Sequence, residues 1–215
     1  KTCQLGYDGK GQVRLSENDD LEAAFASLKT NDAILEEMVP FQAEASFLVA
    51  RAIDGSLSVF PASLNEHKNG ILARSFAPAA LPDAVINKGK AAVSALAEAL
   101  DLVGLLALET FVTQDSGLLF NEIAPRPHNS FHWSIEGCET SQFTQLIRAV
   151  TGLPLGGTDC YGTWQMDNLL GEDMDDLEVL AKKAGLKIHL YGKSEAKTGR
   201  KMGHTNQQIS GKATD

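Results

Sequence analysis

The chain has 215 residues and a formal net charge of −9, and 43% of its residues are hydrophobic. This length suits one large domain or two small ones, and the acidic balance argues against a general nucleic-acid-binding role. The sequence has no apolar run of roughly 18 residues, and its first residues lack the apolar segment of a signal peptide. Neither a membrane span nor secretion is therefore predicted.

The cysteines give a first indication of the compartment. Cys3, Cys138 and Cys160 are odd in number and widely spaced. This pattern favours neither a disulfide framework nor a zinc site, and it fits a reducing environment. We therefore expect a cytoplasmic protein.

In chain order, the first half begins with the glycine loop GYDGKG, residues Gly6–Gly11. Hardly any chain precedes this loop to form a supporting strand, so we expect the 215 residues to be the C-terminal part of a longer protein. A helix is predicted over 18–29 with Asp19 or Asp20 as its N-cap. Strands are predicted at 33–36, 45–52 and 57–60, the last one entered through an Asp54-Gly55 turn.

The second half contains the longest helical pattern, from Pro82 to Leu100. Two strands, 105–112 and 118–123, flank the turn QDSG and form a hairpin. A helix over 140–150 ends at Gly152, and a shorter helix over 176–184 precedes a strand at 187–191. Because the composition changes after the segment GLPLGG, we predict two domains, 1–154 and 155–215.

The predicted hairpin carries two acidic residues in apolar surroundings. Glu109 lies in the middle of LLALETFV, a strand whose composition predicts burial on both faces. A lone carboxylate there costs several kcal/mol unless it is paired or bound to a metal. If Thr113 faces Leu118 across the turn, Glu109 lies directly opposite Glu122, with Cβ atoms roughly 5 Å apart.

Two facing carboxylates repel each other unless a cation lies between them. Oxygen ligands suit Mg²⁺ or Mn²⁺, and Asn121 and Asn129 are possible neutral oxygen donors nearby. The alternative is that each glutamate pairs with a basic residue, such as Arg126 or Arg148. The residues alone leave both interpretations open.

Three further segments have both a functional and an ordinary interpretation. The backbone amides of GYDGKG, with Lys10 and Lys1, suit a phosphate group, but the loop is equally typical of a surface turn. The segment 36–39, EEMV, suits a nucleoside or a solvated strand end. Residues 187–215 carry six Lys and Arg against two acids, which suits a small anion or a solvated tail.

Together, these segments resemble the ATP-grasp superfamily and, within it, the N5-carboxyaminoimidazole ribonucleotide synthase family. The motifs that carry the resemblance are GYDGKGQ (6–12), EEMVPFQAEAS (36–46), HKNGIL (67–72), ETFVTQDSGLLFNEIAPRPHNSFHW (109–133), TSQFTQLIRAVTGLPLG (140–156) and GRKMGH (199–204). The string NEIAPRPHNSFHW followed by a terminal GRKMGH is the most specific combination.

The resemblance implies an α+β fold. It would comprise part of an ATP-grasp domain, with an antiparallel sheet flanked by helices, followed by a small, mostly β C-terminal domain. It also implies a homodimer that binds small molecules, namely ATP, bicarbonate and aminoimidazole ribonucleotide, and neither nucleic acid nor membrane.

The family's ATP-binding and metal-binding roles carry over by motif position. The residues implied for the ATP phosphates are Lys1, Gly6, Tyr7, Asp8, Gly9, Lys10, Gly11 and Gln12. Those implied for the adenine pocket are Glu36, Glu37, Met38 and Val39. Glu44 would bind the ribose, and His67 lies in a segment that closes over the nucleotide. Glu109 and Glu122 would bind Mg²⁺ (or Mn²⁺), with Asn121 beside them.

The family's substrate and catalytic roles carry over in the same way. Tyr7, Lys10 and Arg126, taken as catalytic, would border bicarbonate and the ribonucleotide together with His128, Asn129 and Ser130. Lys193, Arg200 and Lys201 would bind the ribonucleotide's 5′-phosphate. ATP would phosphorylate bicarbonate, and the carboxyphosphate, or CO₂ released from it, would react with the exocyclic amine of the ribonucleotide.

Three positions depart from the family pattern. Leu5 stands where a second glycine is expected, and Lys10 replaces a frequent arginine. Phe131 stands where glycine is usual, so we expect it to narrow the substrate pocket or move the loop, unless it and Trp133 simply pack in the core. Other ATP-grasp ligases, a non-catalytic nucleotide-binding module and a metal-dependent hydrolase built on the hairpin remain alternatives.

Overall fold

A computed structural model describes residues 1–4 and 11–210 of the chain. The helices in these ranges are α1 (Leu21–Ser27), α2 (Asp83–Ala99), α3 (Ser134–Gly137), α4 (Gln142–Thr151) and α5 (Leu177–Ala181). The strands are β1 (Phe41–Arg51), β2 (Leu57–Val59), β3 (Ser63–Lys68), β4 (Ile71–Ala77), β5 (Gly104–Thr113), β6 (Leu118–Ala124), β7 (Thr163–Leu170), β8 (Lys187–Leu190) and β9 (Lys201–Ser210).

One antiparallel sheet runs through the described part of the chain. Its strand order is β6-β5-β1-β3-β4-β7-β9-β8, with β2 paired separately to β1. The strands β7 to β9 form the mostly β C-terminal part and join the rest of the sheet through the pairing of β4 with β7. The predicted α+β class with an antiparallel sheet and flanking helices is confirmed. The division at 154/155 stays a prediction.

Strand β5 is covered on both faces, as its composition predicts. Leu105 and Ala107 face one apolar cluster, which contains Phe131 and Trp133. Leu106 and Leu108 face the other, which includes residues of α2. Neighbouring side chains of a strand point to opposite faces, so the apolar run covers both faces of the sheet, and Glu109 is the charged residue that follows it.

Several predicted elements agree with the structure. Asp20 caps α1 by accepting hydrogen bonds from the backbone amides of Glu22 and Ala23. Helix α4 ends at Gly152, which adopts a left-handed conformation with φ of 73°. The Asp54-Gly55 turn is also present, closed by a hydrogen bond from the Ser56 amide to the Asp54 carboxylate.

Other elements differ from the prediction. Residues 33–36 are not a strand, because only Ala33 has a bridge partner, Thr2, and Leu35 is 83% exposed. The hairpin of β3 and β4 was not predicted, although Asn69-Gly70 at its turn has positive φ at both residues (52° and 76°), the conformation that this dipeptide favours. Strands β7 and β9 were also missed.

Helix α2 approaches the sheet closely at Gly89. A Cβ atom added there would lie 2.1 Å from Cζ of Phe47, whose ring is fully buried on β1. Gly89 therefore makes room for the Phe47 ring, at the cost of the weak helix propensity of glycine.

We predict that Gly89→Ala lowers the free energy of unfolding by about 1–3 kcal/mol, because overpacking outweighs the gain in helix propensity. Urea unfolding measures this change. Ala95→Gly, at an exposed position of the same helix, is the matched control and reports helix propensity alone. A Gly89→Ala protein more stable than the wild type would contradict the close packing.

Candidate active site

A β-bulge places the two predicted acidic residues opposite each other. In the β5–β6 pair, Val112 faces Leu118 and Thr110 faces Phe120, but Glu109 faces Glu122. Asn121 is therefore the extra residue of β6. The predicted facing of Glu109 and Glu122 is confirmed.

The predicted register at the turn was wrong by one residue. Val112, not Thr113, faces Leu118, because the Thr113 amide instead closes the turn by donating to the Gly117 carbonyl at 3.0 Å. The bulge at Asn121 makes up the one-residue difference. Bulges redirect side chains in this way, often beside functional sites.

The facing carboxylates form a strained electrostatic pair. The pKa of Glu109 is raised to about 7. Burial is the main cause and the charge of Glu122 the second, and together they outweigh the lowering effect of His67 and Lys201. Glu122 itself is exposed. A cation between the two carboxylates would remove the repulsion and favour the ionised form of Glu109.

His128 lies on the other side of Glu109. Its Nε2 is 3.2 Å from Oε1 of Glu109, and its Nδ1 is 2.8 Å from Oγ of Ser130. Burial, followed by the positive charges of Arg126 and Lys201, lowers the pKa of His128 to about 3. His128 is therefore neutral near pH 7. If Nε2–H donates a hydrogen bond to Glu109, Nδ1 accepts a hydrogen bond from the Ser130 hydroxyl group.

The structure pairs Glu44 with His67, two residues to which separate nucleotide roles were assigned. Nδ1 of His67 lies 2.8 Å from Oε2 of Glu44. Burial acts to lower the pKa of His67, but the hydrogen bond and charge of Glu44, with Glu109 behind them, outweigh it and raise the pKa. This ion pair joins β1 to β3 on the side of the sheet that carries Glu109.

A third contact brings Lys1 to the bulge. Its Nζ lies 2.5 Å from Oε2 of Glu36 and donates to Oδ1 of Asn121 at 3.3 Å. Lys1 therefore contacts both Glu36 and Asn121, and their roles in a nucleotide site stay a prediction. Glu37 and Met38 are exposed beside them, and Val39 is half-buried.

Part of the predicted phosphate loop lies outside the described residues. This applies to Gly6, Tyr7, Asp8, Gly9 and Lys10, and to the departure at Leu5. Of the rest of the loop, Gly11 has φ of 74° and accepts a hydrogen bond from the Thr2 amide at 2.7 Å. Gln12 is exposed.

The loop after β6 holds the remaining predicted substrate residues. Asn129 has both side-chain amide atoms buried without a hydrogen-bonding partner among the described residues. Ser130 is fully buried, whereas Arg126 is exposed and donates to the Pro127 carbonyl at 3.1 Å. A buried amide without a hydrogen-bonding partner is suited to contact a polar ligand.

The three C-terminal cations do not share one environment. Lys201 is close enough to Glu109, His67 and His128 to influence their pKa values. Lys193 donates to the Lys201 carbonyl at 2.6 Å, and Arg200 is exposed and donates to the Glu195 carbonyl at 3.1 Å. The charge of Lys201 therefore acts on the residues around Glu109, whereas the Lys193 and Arg200 side chains lie on the surface.

Phe131 does not enter the site. It is fully buried, and its ring centroid lies 6.2 Å from those of Phe60 and Trp133. Trp133 is also fully buried and donates from Nε1 to Oγ of Ser63. The expectation that Phe131 narrows the pocket was wrong, because its side chain turns into the core, and the core-packing alternative is confirmed for both aromatics.

The sequence analysis missed Gln142, whose side chain holds the backbone of the loop after β6 at His128. Its fully buried side-chain amide accepts from the His128 amide at 2.8 Å and donates to the His128 carbonyl at 2.9 Å. Its Nε2 also lies 2.9 Å from Nδ1 of His132. No local pattern signals this clamp, because Gln142 reads as an ordinary first residue of a helix.

The sequence analysis also missed a cluster of three histidines, His132, His189 and His204. The ring of His204 packs 4.6 Å from that of His132 and 4.5 Å from that of His189. His189 contacts Oε1 of Glu136 at 2.7 Å, which ties β8 to α3. The three histidines come from separate segments of the chain, so only the fold brings them together.

Family comparisons agree with this geometry. The family model of the ATP-grasp domain matches residues 1–143, and that of the phosphoribosylaminoimidazole carboxylase C-terminal domain matches residues 165–210. The N5-carboxyaminoimidazole ribonucleotide synthase of Bacillus subtilis is 49% identical over 208 residues, which cover 95% of this chain and 54% of that protein. The chain thus spans about half the length of this curated relative.

Two solved structures are similar over most of the chain. The ADP complex of an N5-carboxyaminoimidazole ribonucleotide synthetase superposes with a TM-score of 0.91 at 46% identity, over 96% of this chain and 55% of that one. The Aspergillus clavatus N5-carboxyaminoimidazole synthase in complex with ADP and 5-aminoimidazole ribonucleotide gives 0.86 at 30% identity, over 91% and 54%. The chain therefore belongs to the ATP-grasp family, within which it is similar to the N5-carboxyaminoimidazole ribonucleotide synthases.

Proposed function

We propose that this chain forms part of a ligase that carboxylates 5-aminoimidazole ribonucleotide with bicarbonate, at the expense of ATP, in purine biosynthesis. The observation that carries the proposal is the Glu109–Glu122 pair, which the bulge at Asn121 brings together and which contacts His128 through Glu109. The names of the relatives support the same reaction. Because the chain spans about half of their length, the activity is proposed for the full-length gene product.

The carboxylate pair fits a divalent cation with oxygen ligands. Among the described residues, no group of three or more His, Cys, Asp or Glu side chains is arranged to bind a metal ion. Glu109 and Glu122 would therefore hold Mg²⁺ (or Mn²⁺) as a pair, and water and substrate phosphates would fill its other sites, as Mg²⁺ prefers. The bound ion would neutralise phosphate oxygen charge during phosphoryl transfer.

The residues around Lys1 suit the ATP that would accompany this ion. Lys1 and the loop 6–12 would bind phosphates, the segment 36–39 would line the adenine pocket, and the carboxylate of Glu44 would bind ribose hydroxyls. The similar solved structures are complexes with ADP, which supports nucleotide binding by the proposed enzyme. His67, already paired to Glu44, would fix the orientation of that carboxylate.

The loop after β6 suits the acceptor and the carboxyl group being transferred. The amide of Asn129 can donate hydrogen bonds without adding charge, and Arg126 adds positive charge for bicarbonate or carboxyphosphate. Neutral His128 holds Glu109 and Ser130 in place through its two ring nitrogens. Tyr7 and Lys10 would complete the catalytic set from the phosphate loop. Lys193, Arg200 and Lys201 would bind the 5′-phosphate, for which Arg200 would turn from its contact with Glu195.

Other features of the proposal rest on the sequence and the resemblance. A homodimer, two domains divided at 154/155 and a cytoplasmic location stay predictions. In the described residues, no helix is long and apolar enough to cross a membrane.

We predict that Glu122→Gln lowers Mg²⁺-dependent ATP cleavage by the full-length protein roughly 100-fold or more, because a metal ligand worth several kcal/mol in the transition state is lost. A second readout does not depend on activity. Because the charge of Glu122 raises the pKa of Glu109, the substitution should move that pKa down from about 7 in an NMR titration.

The matched control is Glu98→Gln, at an exposed position near the end of α2. It should change neither ATP cleavage nor the Glu109 titration. Wild-type cleavage by the Glu122→Gln protein would refute the metal assignment. An unmoved Glu109 pKa would refute the electrostatic pairing.

We predict that Arg200→Ala weakens binding of aminoimidazole ribonucleotide about tenfold or more and leaves ATP binding within about twofold, since a charged hydrogen bond to phosphate contributes about 1.5–3 kcal/mol. Calorimetric titration with each ligand measures both. Lys197→Ala, which removes a neighbouring exposed cation paired with Glu195, is the control. Equal weakening of both ligands would overturn the assignment of Arg200 to the 5′-phosphate.

A further inference from the structure

Cys138 and Cys160 are distant in the sequence but directly opposite each other in the structure. An isolated antiparallel bridge pairs their backbone positions. Two hydrogen bonds form it, from the Tyr161 amide to the Gly137 carbonyl at 2.9 Å and from the Glu139 amide to the Asp159 carbonyl at 3.1 Å. Both bonds flank the cysteines, so the two residues occupy a non-hydrogen-bonded position, where facing Cα atoms are about 4.5 Å apart and side chains are closest.

This position suits a covalent bond between the two sulfur atoms. Disulfides join residues whose Cα atoms are about 4.4–6.8 Å apart and whose Cβ atoms are about 3.5–4.5 Å apart. The typical spacing of a non-hydrogen-bonded pair falls within the Cα range and overlaps the Cβ range, and both thiols are free in this structure. We propose that Cys138 and Cys160 form a reversible disulfide, which joins the end of α3 to the segment that enters β7.

The two thiols differ in exposure and in pKa, and these differences indicate which of them reacts first. Cys160 is partly exposed and its thiol donates to the Gly162 carbonyl at 3.3 Å, while a hydrogen bond from Cys138 lowers its pKa. Cys138 is only 8% exposed, and the same hydrogen bond, followed by burial, raises its pKa. Cys160 is therefore the thiol that reacts first with a reagent from solution, because the thiolate is the nucleophile.

The oxidant is a small-molecule disulfide such as oxidised glutathione. The Cys160 thiolate attacks one of its sulfur atoms, forms a mixed disulfide and expels one glutathione thiolate, which takes up the proton that Cys160 lost. The Cys138 sulfur then attacks the Cys160 sulfur, and the second glutathione leaves with the proton of Cys138. Two protein thiols are oxidised and one glutathione disulfide is reduced.

The bond would close a loop that contains α4 and the linker before β7. Cross-linking constrains the unfolded chain more than the native one when the native geometry needs no distortion. The oxidised protein should therefore melt at a higher temperature than the reduced protein, and dithiothreitol should reverse the shift. An oxidised form that melts no higher than the reduced one would contradict the unstrained fit.

Peptide mapping of the full-length protein after treatment with oxidised glutathione tests the pairing. Trypsin cleaves at Arg148 and thus separates the two cysteines. We expect a linked pair of peptides, two hydrogen atoms lighter than their sum, that disappears on reduction, whereas Cys3 stays open to alkylation. Alkylation of both Cys138 and Cys160 after unfolding, a stable glutathione adduct on Cys160, or a link through Cys3 would overturn the proposal.

Single substitutions test the order of reaction and supply the controls. Cys138→Ser should stop at a glutathione adduct on Cys160, and Cys160→Ser should leave buried Cys138 unmodified. Cys3→Ser should still form the Cys138–Cys160 link at the wild-type rate. A glutathione adduct on Cys138 in the Cys160→Ser protein would contradict the assignment of Cys160 as the attacking thiol. These outcomes do not depend on the carboxylation reaction.

Discussion

The facing of Glu109 and Glu122 is the constraint on which the rest of the site depends. One extra residue in β6, Asn121, brings the two carboxylates together, because the register set at the turn would place Asn121 itself opposite Glu109. Without a cation, this arrangement holds two like charges together at a partly buried position. Burial, with the charge of Glu122 added to it, raises the pKa of Glu109 to about 7. The repulsion within such a pair lowers the stability of the folded chain. A bound divalent cation would remove the repulsion and so stabilise the folded state.

The surroundings of this pair are rigid and differ in charge. Strand β5 is buried on both faces, so Glu109 cannot move away from Glu122 without disturbing the core. His128 is held neutral by burial and clamped through its backbone by Gln142. His67, by contrast, is held toward its charged form by Glu44. Polar groups held in fixed positions around a reacting centre need little reorganisation during the reaction. Phosphoryl transfer depends on such preorganisation.

The sequence predicts local features of this site better than it predicts their assembly. The composition of β5 identifies Glu109 as anomalous, and simple counting pairs it with Glu122, yet the count succeeds only because a bulge offsets a one-residue error at the turn. The sequence pattern predicts a strand at residues 33–36, but in the structure this segment forms only one isolated bridge, between Ala33 and Thr2. Gln142, the histidine cluster and the facing of Cys138 with Cys160 depend on contacts between distant segments, and no local pattern encodes those contacts. The side-chain direction of Phe131 likewise depends on the core into which the short 3₁₀ helix Asn129–Phe131 packs.

The most direct test of this account is phosphate release from ATP by the full-length protein with Mg²⁺ and bicarbonate, measured with and without 5-aminoimidazole ribonucleotide. We predict that the ribonucleotide stimulates phosphate release strongly, and that carboxylated product appears in equal amount. ATP binding without stimulation by the ribonucleotide would contradict the account, because the acidic pair would then serve another acceptor or no reaction at all.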